Sequence, residues 1–282
     1  MAGLARRGEI SLLCDPTARS RRVGHAPREN AIRMLLSLHP QVQATLRLGV
    51  ILGEYTPPAP LSVPSADVSW ASAASENVAV EVLALDTAPG AQQLSEAIAA
   101  AETLTREAYD RVQAVHEVAD VALVRHMFHE CGMDPTRDRP SSEVLLRRVM
   151  KGDSLPRINT IVDTNNLSSL ELLLPIGSYD AFRLVGDAIC RFGRTGETLE
   201  AIDRRQLDVN GVLALVDELG PFGSPLSDGL RTMVRATTTR VLTVLFIPRE
   251  LPARLAETRT HHAAQRLEEL AGVRLTDTHV VS

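Results

Sequence analysis

Three short stretches of this chain carry side chains that could do chemistry. The first is VDTNNLSSLELLLPIGSYD. On a helix, Asp163, Asn166 and Ser169 fall at i, i+3 and i+6 and share one polar stripe. A carboxylate, an amide and a hydroxyl on one face can bind an ammonium group, orient water or polarise a carbonyl. A solvated helix face is the plain alternative. Against it, the stripe carries no Lys, Arg or Glu. Short polar residues inside a helix also carry a propensity cost, which favours a buried, hydrogen-bonding role.

The second stretch is GPFGSPLSDGLRT, residues 220–232. It lacks the Gly-Lys-Ser/Thr of a P-loop and the spacing of a nucleophile elbow. Its glycines, proline and serines predict a sharp turn with free backbone N–H groups, able to hold an oxyanion or a phosphate. The alternative is a plain loop in which Asp228 caps the next element and pairs with Arg231. The third stretch is RRVMKGDSLPR, where Arg147, Arg148, Lys151 and Arg157 form either a phosphate patch or an ordinary charged helix face. In HMFHEC, His126, His129 and Cys131 lack a second ligand pair at metal spacing, so no metal is expected. His261 and His262 face different ways on one helix, and no Ser-His-Asp triad is expected.

The elements that must position these groups follow from pattern. Residues 1–33 are Arg-rich, lack an apolar period and predict a poorly ordered tail. Residues 41–55 alternate and predict one or two strands, followed by a Pro-rich loop. Residues 77–86 form an apolar run, strand or helix. A helical region follows from Pro89 to about Cys131, then a turn-rich linker over 132–140. Helices are predicted over 141–152 and 159–174, strands at AICRFG, TLEAI, VLALVDELG and TTTRVLTVLFIP, and a closing amphipathic helix over 249–272. Two helices, a run of strands and a last helix predict an α+β fold.

The whole chain sets bounds. It has 282 residues, 44% of them hydrophobic, enough for one large or two small domains. No apolar run is long enough for a membrane span, and the N-terminus lacks a secretory h-region. Three cysteines at wide spacing, Cys14, Cys131 and Cys190, suggest no disulfide framework and a reduced, cytoplasmic protein. The formal net charge is −5, so any RNA contact should be a local patch rather than a general coat, and no DNA contact is expected.

Taken together, RPSSEVLLRRVMKG, LPRINTIVDTNNLSSLELLLPIGSYD and GPFGSPLSDGLRTMV resemble the free-standing B3/B4 domain proteins, relatives of the tRNA-editing module in the phenylalanyl-tRNA synthetase β subunit. Pro140, Ser141, Ser142 and Arg148 match the first signature. Asp163, Asn166 and Ser169 match V-D-x-x-N-x-x-S, and Pro175, Gly177, Tyr179 and Asp180 match P-I-G-x-Y-D. The last signature, G-S-P-T-S-D-S-x-R-T, reads GSPLSDGLRT here, with Leu226 and Gly229 in place of hydroxyl-bearing residues. The resemblance is strongest over residues 135–275, within a domain spanning 34–282.

This resemblance implies an α+β domain with a central, mostly antiparallel sheet flanked by helices. It also implies a pocket for the aminoacyl end of a tRNA and hydrolysis of a mischarged ester without an enzyme nucleophile or cofactor. Within it, Asp163 or Asp180 would bind the α-ammonium, while Asn166 and Ser169 position water or carbonyl. Gly223, Ser224, Ser227, Asp228 and Tyr179 would line the substrate pocket. Arg148, Lys151 and Arg231 would meet RNA phosphate or brace the acids. Two other readings stay open: aminoacyl transfer to an amine, and a non-catalytic module binding tRNA or a small amine. The oligomeric state is not legible.

Overall fold

The computed structural model describes residues 36–58, 90–112 and 114–282. The expected tail over 1–33, the run over 77–86 and Cys14 lie outside the described residues.

Two four-stranded sheets share the main apolar core. The first sheet runs β1 (Leu36–Leu38), β4 (Ala188–Phe192), β7 (Leu213–Asp217), β8 (Gly220–Gly223), with only β1 and β4 parallel. The second runs β10 (Arg274–Val281), β2 (Leu46–Glu54), β9 (Arg240–Pro248), β3 (Ile176–Asp180) and is antiparallel throughout. A short ribbon pairs β5 (Thr198–Glu200) with β6 (Gln206–Asp208). The α+β expectation therefore holds, with the strands divided between two four-stranded sheets rather than gathered in one. Strand β9, RVLTVLFIP, is buried along nearly its whole length. It is covered on both faces, so it reads as a continuous apolar run instead of alternating.

The helices are α1 (Pro40–Gln43), α2 (Ala91–Tyr109), α3 (Ala119–Glu130), α4 (Ser141–Met150), α5 (Thr160–Leu172) and α6 (Ala253–Ala271), with 3-10 turns at Val115–Glu117 and Ala181–Arg183. Asn159 caps α5 by accepting the Val162 N–H at 3.0 Å. Leu173 ends that helix in the left-handed region (φ 54°), and Pro175 prevents its resumption. Gly272 does the same for α6 at φ 68°. A second apolar cluster joins α2, α4 and α5 through Leu94, Ile98, Leu146, Val149, Leu167 and Leu170. It anchors α5 from the side away from the sheets.

Several features were not anticipated, strands β1, β3 and β6 among them. GPFG is a strand, so the second chemical stretch is half sheet and half turn. A short helix precedes β2. Strand β10 was missed because RLTDTHVV is polar and only partly buried at a sheet edge. No helix among the described residues is long and apolar enough to cross a membrane.

Helix α6 lies close on β2. A Cβ at Gly49 would fall 2.3 Å from the Thr260 Oγ1 and 3.2 Å from the Leu245 Cβ. Gly49→Ala should therefore lower unfolding free energy by roughly 1–3 kcal/mol, as overpacking does. Adding Thr260→Ala should recover part of it, a coupling that a urea-denaturation double-mutant cycle measures.

Candidate functional site

Four elements meet around a cleft of about 210 Å³. Ser141 comes from the first turn of α4, and Val162, Asn165 and Asn166 come from α5. Ile176 and Ser178 come from β3, and Ser224, Pro225, Leu226, Ser227 and Asp228 from the loop after β8. Val162, Ile176, Pro225 and Leu226 make one part of the lining apolar. The remainder is amide, hydroxyl and one carboxyl group.

The polar floor is internally satisfied. Asn165 Nδ2 donates to the Ile176 carbonyl at 3.0 Å, and Ser178 Oγ donates to Asn165 Oδ1 at 3.1 Å. Ser178 also meets Thr243 Oγ1 at 2.9 Å. A serine has one hydroxyl hydrogen, so Thr243 must donate in that contact. The chain of bonds ties α5 to β3 and β9 and fixes the floor. The side chain of Asn166, one residue on, makes no hydrogen bond with any described residue, and the residue lines the cleft.

The loop is held just as closely. Ser224 Oγ accepts the N–H groups of Leu226 (3.2 Å) and Ser227 (3.1 Å), and the Ser224 N–H donates to the Ser227 carbonyl at 2.9 Å. The expected supply of free N–H donors from this turn is thus corrected: Ser224 closes the turn on itself. Gly229 is required by packing. A Cβ there would lie 2.5 Å from the Phe222 carbonyl oxygen, so a hydroxyl-bearing residue does not fit this backbone. Leu226 packs against the main core and lines the cleft.

Among the described residues, Asp228 is the only carboxyl residue lining the cleft. It receives the Ser178 N–H and faces the Tyr179 hydroxyl, which reaches full hydrogen-bond geometry with no protein group yet sits close enough to stabilise the carboxylate. Desolvation dominates and lifts the Asp228 carboxyl from 3.8 to about 7. Residue accessibility makes Asp228 half-buried, because one side of it opens to the cleft. Tyr179 is fully buried behind it, and burial raises its phenol well above the usual range. Its ring meets Phe222 edge-on, with centroids 5.1 Å apart. Gly177 and Gly223 leave room for the hydroxyl, since a Cβ would fall 2.2 Å or 2.3 Å from it.

The structure brings together Asn166, Ser224, Ser227 and Asp228 and leaves the other expected residues outside the cleft. Gly223 and Tyr179 form the layer behind its wall. Asp163 is buried at the start of α5, accepting from the Ile158 N–H at 2.7 Å and Arg157 Nε at 2.8 Å. Burial raises its carboxyl despite both bonds. Ser169 donates to the Leu174 carbonyl at 2.6 Å, and Asp180 accepts from Thr238 Oγ1 at 2.9 Å and the Phe182 N–H at 3.1 Å. Asp163 and Ser169, the two ends of the stripe, are buried and hydrogen-bonded as its composition suggested, but they hold the backbone.

The basic residues also have internal duties. Arg231 forks onto Asp217 at 2.7 and 3.0 Å, not onto Asp228, and Arg148 Nε donates to the Ser154 carbonyl. Lys151 is exposed just past α4. None of the three lines the cleft. His126, Glu130 and Glu250 place donor atoms within 4.8 Å of one another, all exposed and outside the cleft. Sequence reasoning missed Asn165, Ser178 and Ser141 as lining residues. Asn165 was findable as the neighbour of Asn166, but which amide turns inward depends on the packing of α5.

Sequence comparisons with known proteins point to one family. The sequence pattern of the B3/4 domain matches residues 123–268. The phenylalanine–tRNA ligase beta subunit of Psychrobacter arcticus is 25% identical over 173 residues, covering 56% of this chain and 21% of that protein. The Nitrobacter winogradskyi counterpart is 35% identical over 109 residues, covering 38% and 13%. This chain therefore spans about a fifth or less of the curated relatives it matches. Among solved structures, an N-terminal fragment of the phenylalanyl-tRNA synthetase beta subunit from Pyrococcus horikoshii aligns with a TM-score of 0.34 and 10% identity, over 45% of this chain and 47% of that one.

The raised Asp228 carboxyl has a consequence for stability. Its folded value of about 7 lies above the ordinary 3.8, so the folded state holds the proton more tightly than the unfolded state. This contribution is complete below about pH 4 and is lost as pH rises through 7. Urea unfolding should give a wild-type stability that falls between pH 5 and pH 8 by roughly 2 kcal/mol more than in Asp228→Asn, after allowing for the solvent-facing side of the carboxyl. Equal slopes in the two proteins would show that Asp228 does not titrate in this range.

Proposed function

The chain belongs to the B3/4 domain family, and from that premise we propose that it hydrolyses the ester of a mischarged aminoacyl-tRNA. One observation carries this reading: three signatures separated in sequence contribute to a single cleft, through Ser141, Asn166 with Ser178, and Ser224 to Asp228. The relatives it matches are phenylalanine–tRNA ligase beta subunits, and a cleft of about 210 Å³ suits an aminoacyl group rather than a nucleotide.

The chemistry follows from the lining. Asp228 is ionised in part near neutral pH, which is where a general base is most effective. It takes a proton from a water molecule as the water oxygen attacks the ester carbonyl. The developing oxyanion faces the free amide of Asn166 and the first turn of α4 beside Ser141, where unpaired N–H groups favour negative charge. The ester C–O bond then breaks, and the proton held by Asp228 passes to the departing ribose oxygen. The products are a free amino acid and an uncharged tRNA. No side-chain nucleophile takes part. Asp163, Asp180 and Ser169 act through the backbone they hold.

A second sieve of this kind has a physical purpose. A synthetic site that accepts an apolar side chain rejects an analogue with one extra hydroxyl by only about 10²-fold. The apolar walls at Val162, Ile176 and Leu226 and the polar floor around Ser178 would sort such analogues on the ester already made. The buried thiols of Cys131 and Cys190 suit a reducing, cytoplasmic setting.

Incubation with a panel of labelled aminoacyl-tRNAs should release free amino acid from a subset of them. The rate should rise with pH through about 7, following ionisation of Asp228. Asp228→Asn should lower turnover about 10²-fold or more, the usual worth of a general base. Asn166→Ala should lower turnover while leaving the pH midpoint in place. Amide product in the presence of an amine, without free amino acid, would replace hydrolysis by transfer.

A further inference from the structure

Both strips of chain that line the cleft run on into one exposed cluster. Beyond Ser178, β3 ends at Asp180 and leads into Phe182 and Arg183. Beyond Asp228, the loop leads to Arg231 and Arg235. Contacts tie these residues together. Arg231 donates to the Arg183 carbonyl at 2.8 Å, and Arg240 lies over the Phe182 ring with its guanidinium carbon 5.7 Å from the centroid. Arg235 donates to the Leu230 carbonyl at 3.3 Å and bonds through its N–H to Thr238, which in turn holds Asp180.

Two properties set this cluster apart. First, the chain has five phenylalanines, and Phe182 is the exposed one, at 57%. Second, it is cationic on a protein of net charge −5. Asp217 neutralises Arg231 and Asp180 lies 3.7 Å from Arg183, but Arg235 and Arg240 form no ion pair among the described residues. A guanidinium stacked on an exposed ring, with further arginines around it, is the combination that receives a stacked base and its phosphates. Phe182 stands four positions beyond Ser178, at most roughly 13 Å of extended strand.

We propose that Phe182, Arg183, Arg231 and Arg240 form a seat for single-stranded RNA that delivers its end to the cleft. The nature of the group carried on that end rests on the deacylase reading, but the seat itself does not. The base stacks on the open face of Phe182, and Arg183 and Arg240 hold flanking phosphates. Arg231, neutralised by Asp217, braces the seat by holding the Arg183 carbonyl.

The test uses a fluorescein-labelled single-stranded RNA of about eight nucleotides, within the site size of such surfaces. Anisotropy titration of the full chain should show binding that weakens with salt. Phe182→Ala and Arg183→Ala should each raise Kd about five-fold or more. Arg254→Ala, beyond the opposite end of β9, should not. Circular dichroism melts of the variants should overlay the parent. The seat is overturned if the RNA does not bind, if both variants bind like wild type, or if poly-glutamate competes equally well, which would assign the patch to an acidic protein. Failure of the hydrolysis reading is separately visible. Wild type that binds the oligonucleotide through these residues but leaves every aminoacyl ester intact keeps the seat and loses the reaction.

Discussion

The packing of one phenol against two glycines holds the site in register. Tyr179 points away from the cleft, is wholly buried, and sets its ring edge-on to Phe222. Its hydroxyl occupies the space that side chains on Gly177 and Gly223 would need. Those glycines belong to β3 and β8, which lie in different sheets. One ring therefore locks the two sheets together at the point where the loop to Asp228 departs. Interiors this dense transmit small changes in volume directly. A side chain added at either glycine would displace the ring and with it the neighbour of the Asp228 carboxyl.

The cleft separates residues that hold from residues that face a ligand. Asn165, Ser178 and Thr243 form a closed chain of hydrogen bonds, and Ser224 closes its own turn. Asn166 and Asp228 keep free polar capacity toward the cavity. Fully satisfied buried networks rigidify a site, and only against such a frame can an unsatisfied group be aimed. The burial that frames Asp228 also raises its carboxyl to about 7. Geometry and proton affinity at this residue thus share one cause.

Much of this was legible in the sequence, and the boundary of legibility is physical. The helices over α4, α5 and α6 announce themselves through caps, period and a terminal glycine or proline. Strand β9 announces itself through a branched apolar run. Strand β10 could not, because an edge strand with a solvated face carries mostly polar residues. The polar stripe on α5 was found, and its burial was expected from its lack of long charged residues. Of the side chains α5 turns to the cleft, Asn166 was named from the sequence, whereas Val162 and Asn165 were not. Asp163 and Ser169 are drawn to unsatisfied backbone groups at the two ends of their helix, a demand that only the fold makes visible. The partner of Arg231 was misjudged for a similar reason. Asp217 is fourteen positions away in sequence but lies across a hairpin.

The order of strands in the second sheet bears on how the protein is made. Strand β2 lies between β9 and β10, so an early strand has both of its neighbours near the far end of the chain. During translation, residues 46–54 leave the ribosome with two open hydrogen-bonding edges and an apolar surface. They wait for nearly two hundred residues before β9 arrives, and β10 follows only when Val281 has been added. Helical segments made in the interval can fold locally, whereas this strand cannot. The nascent chain therefore carries an aggregation hazard in β2 until β9 and β10 are made, and chaperone capture during synthesis would act on that strand.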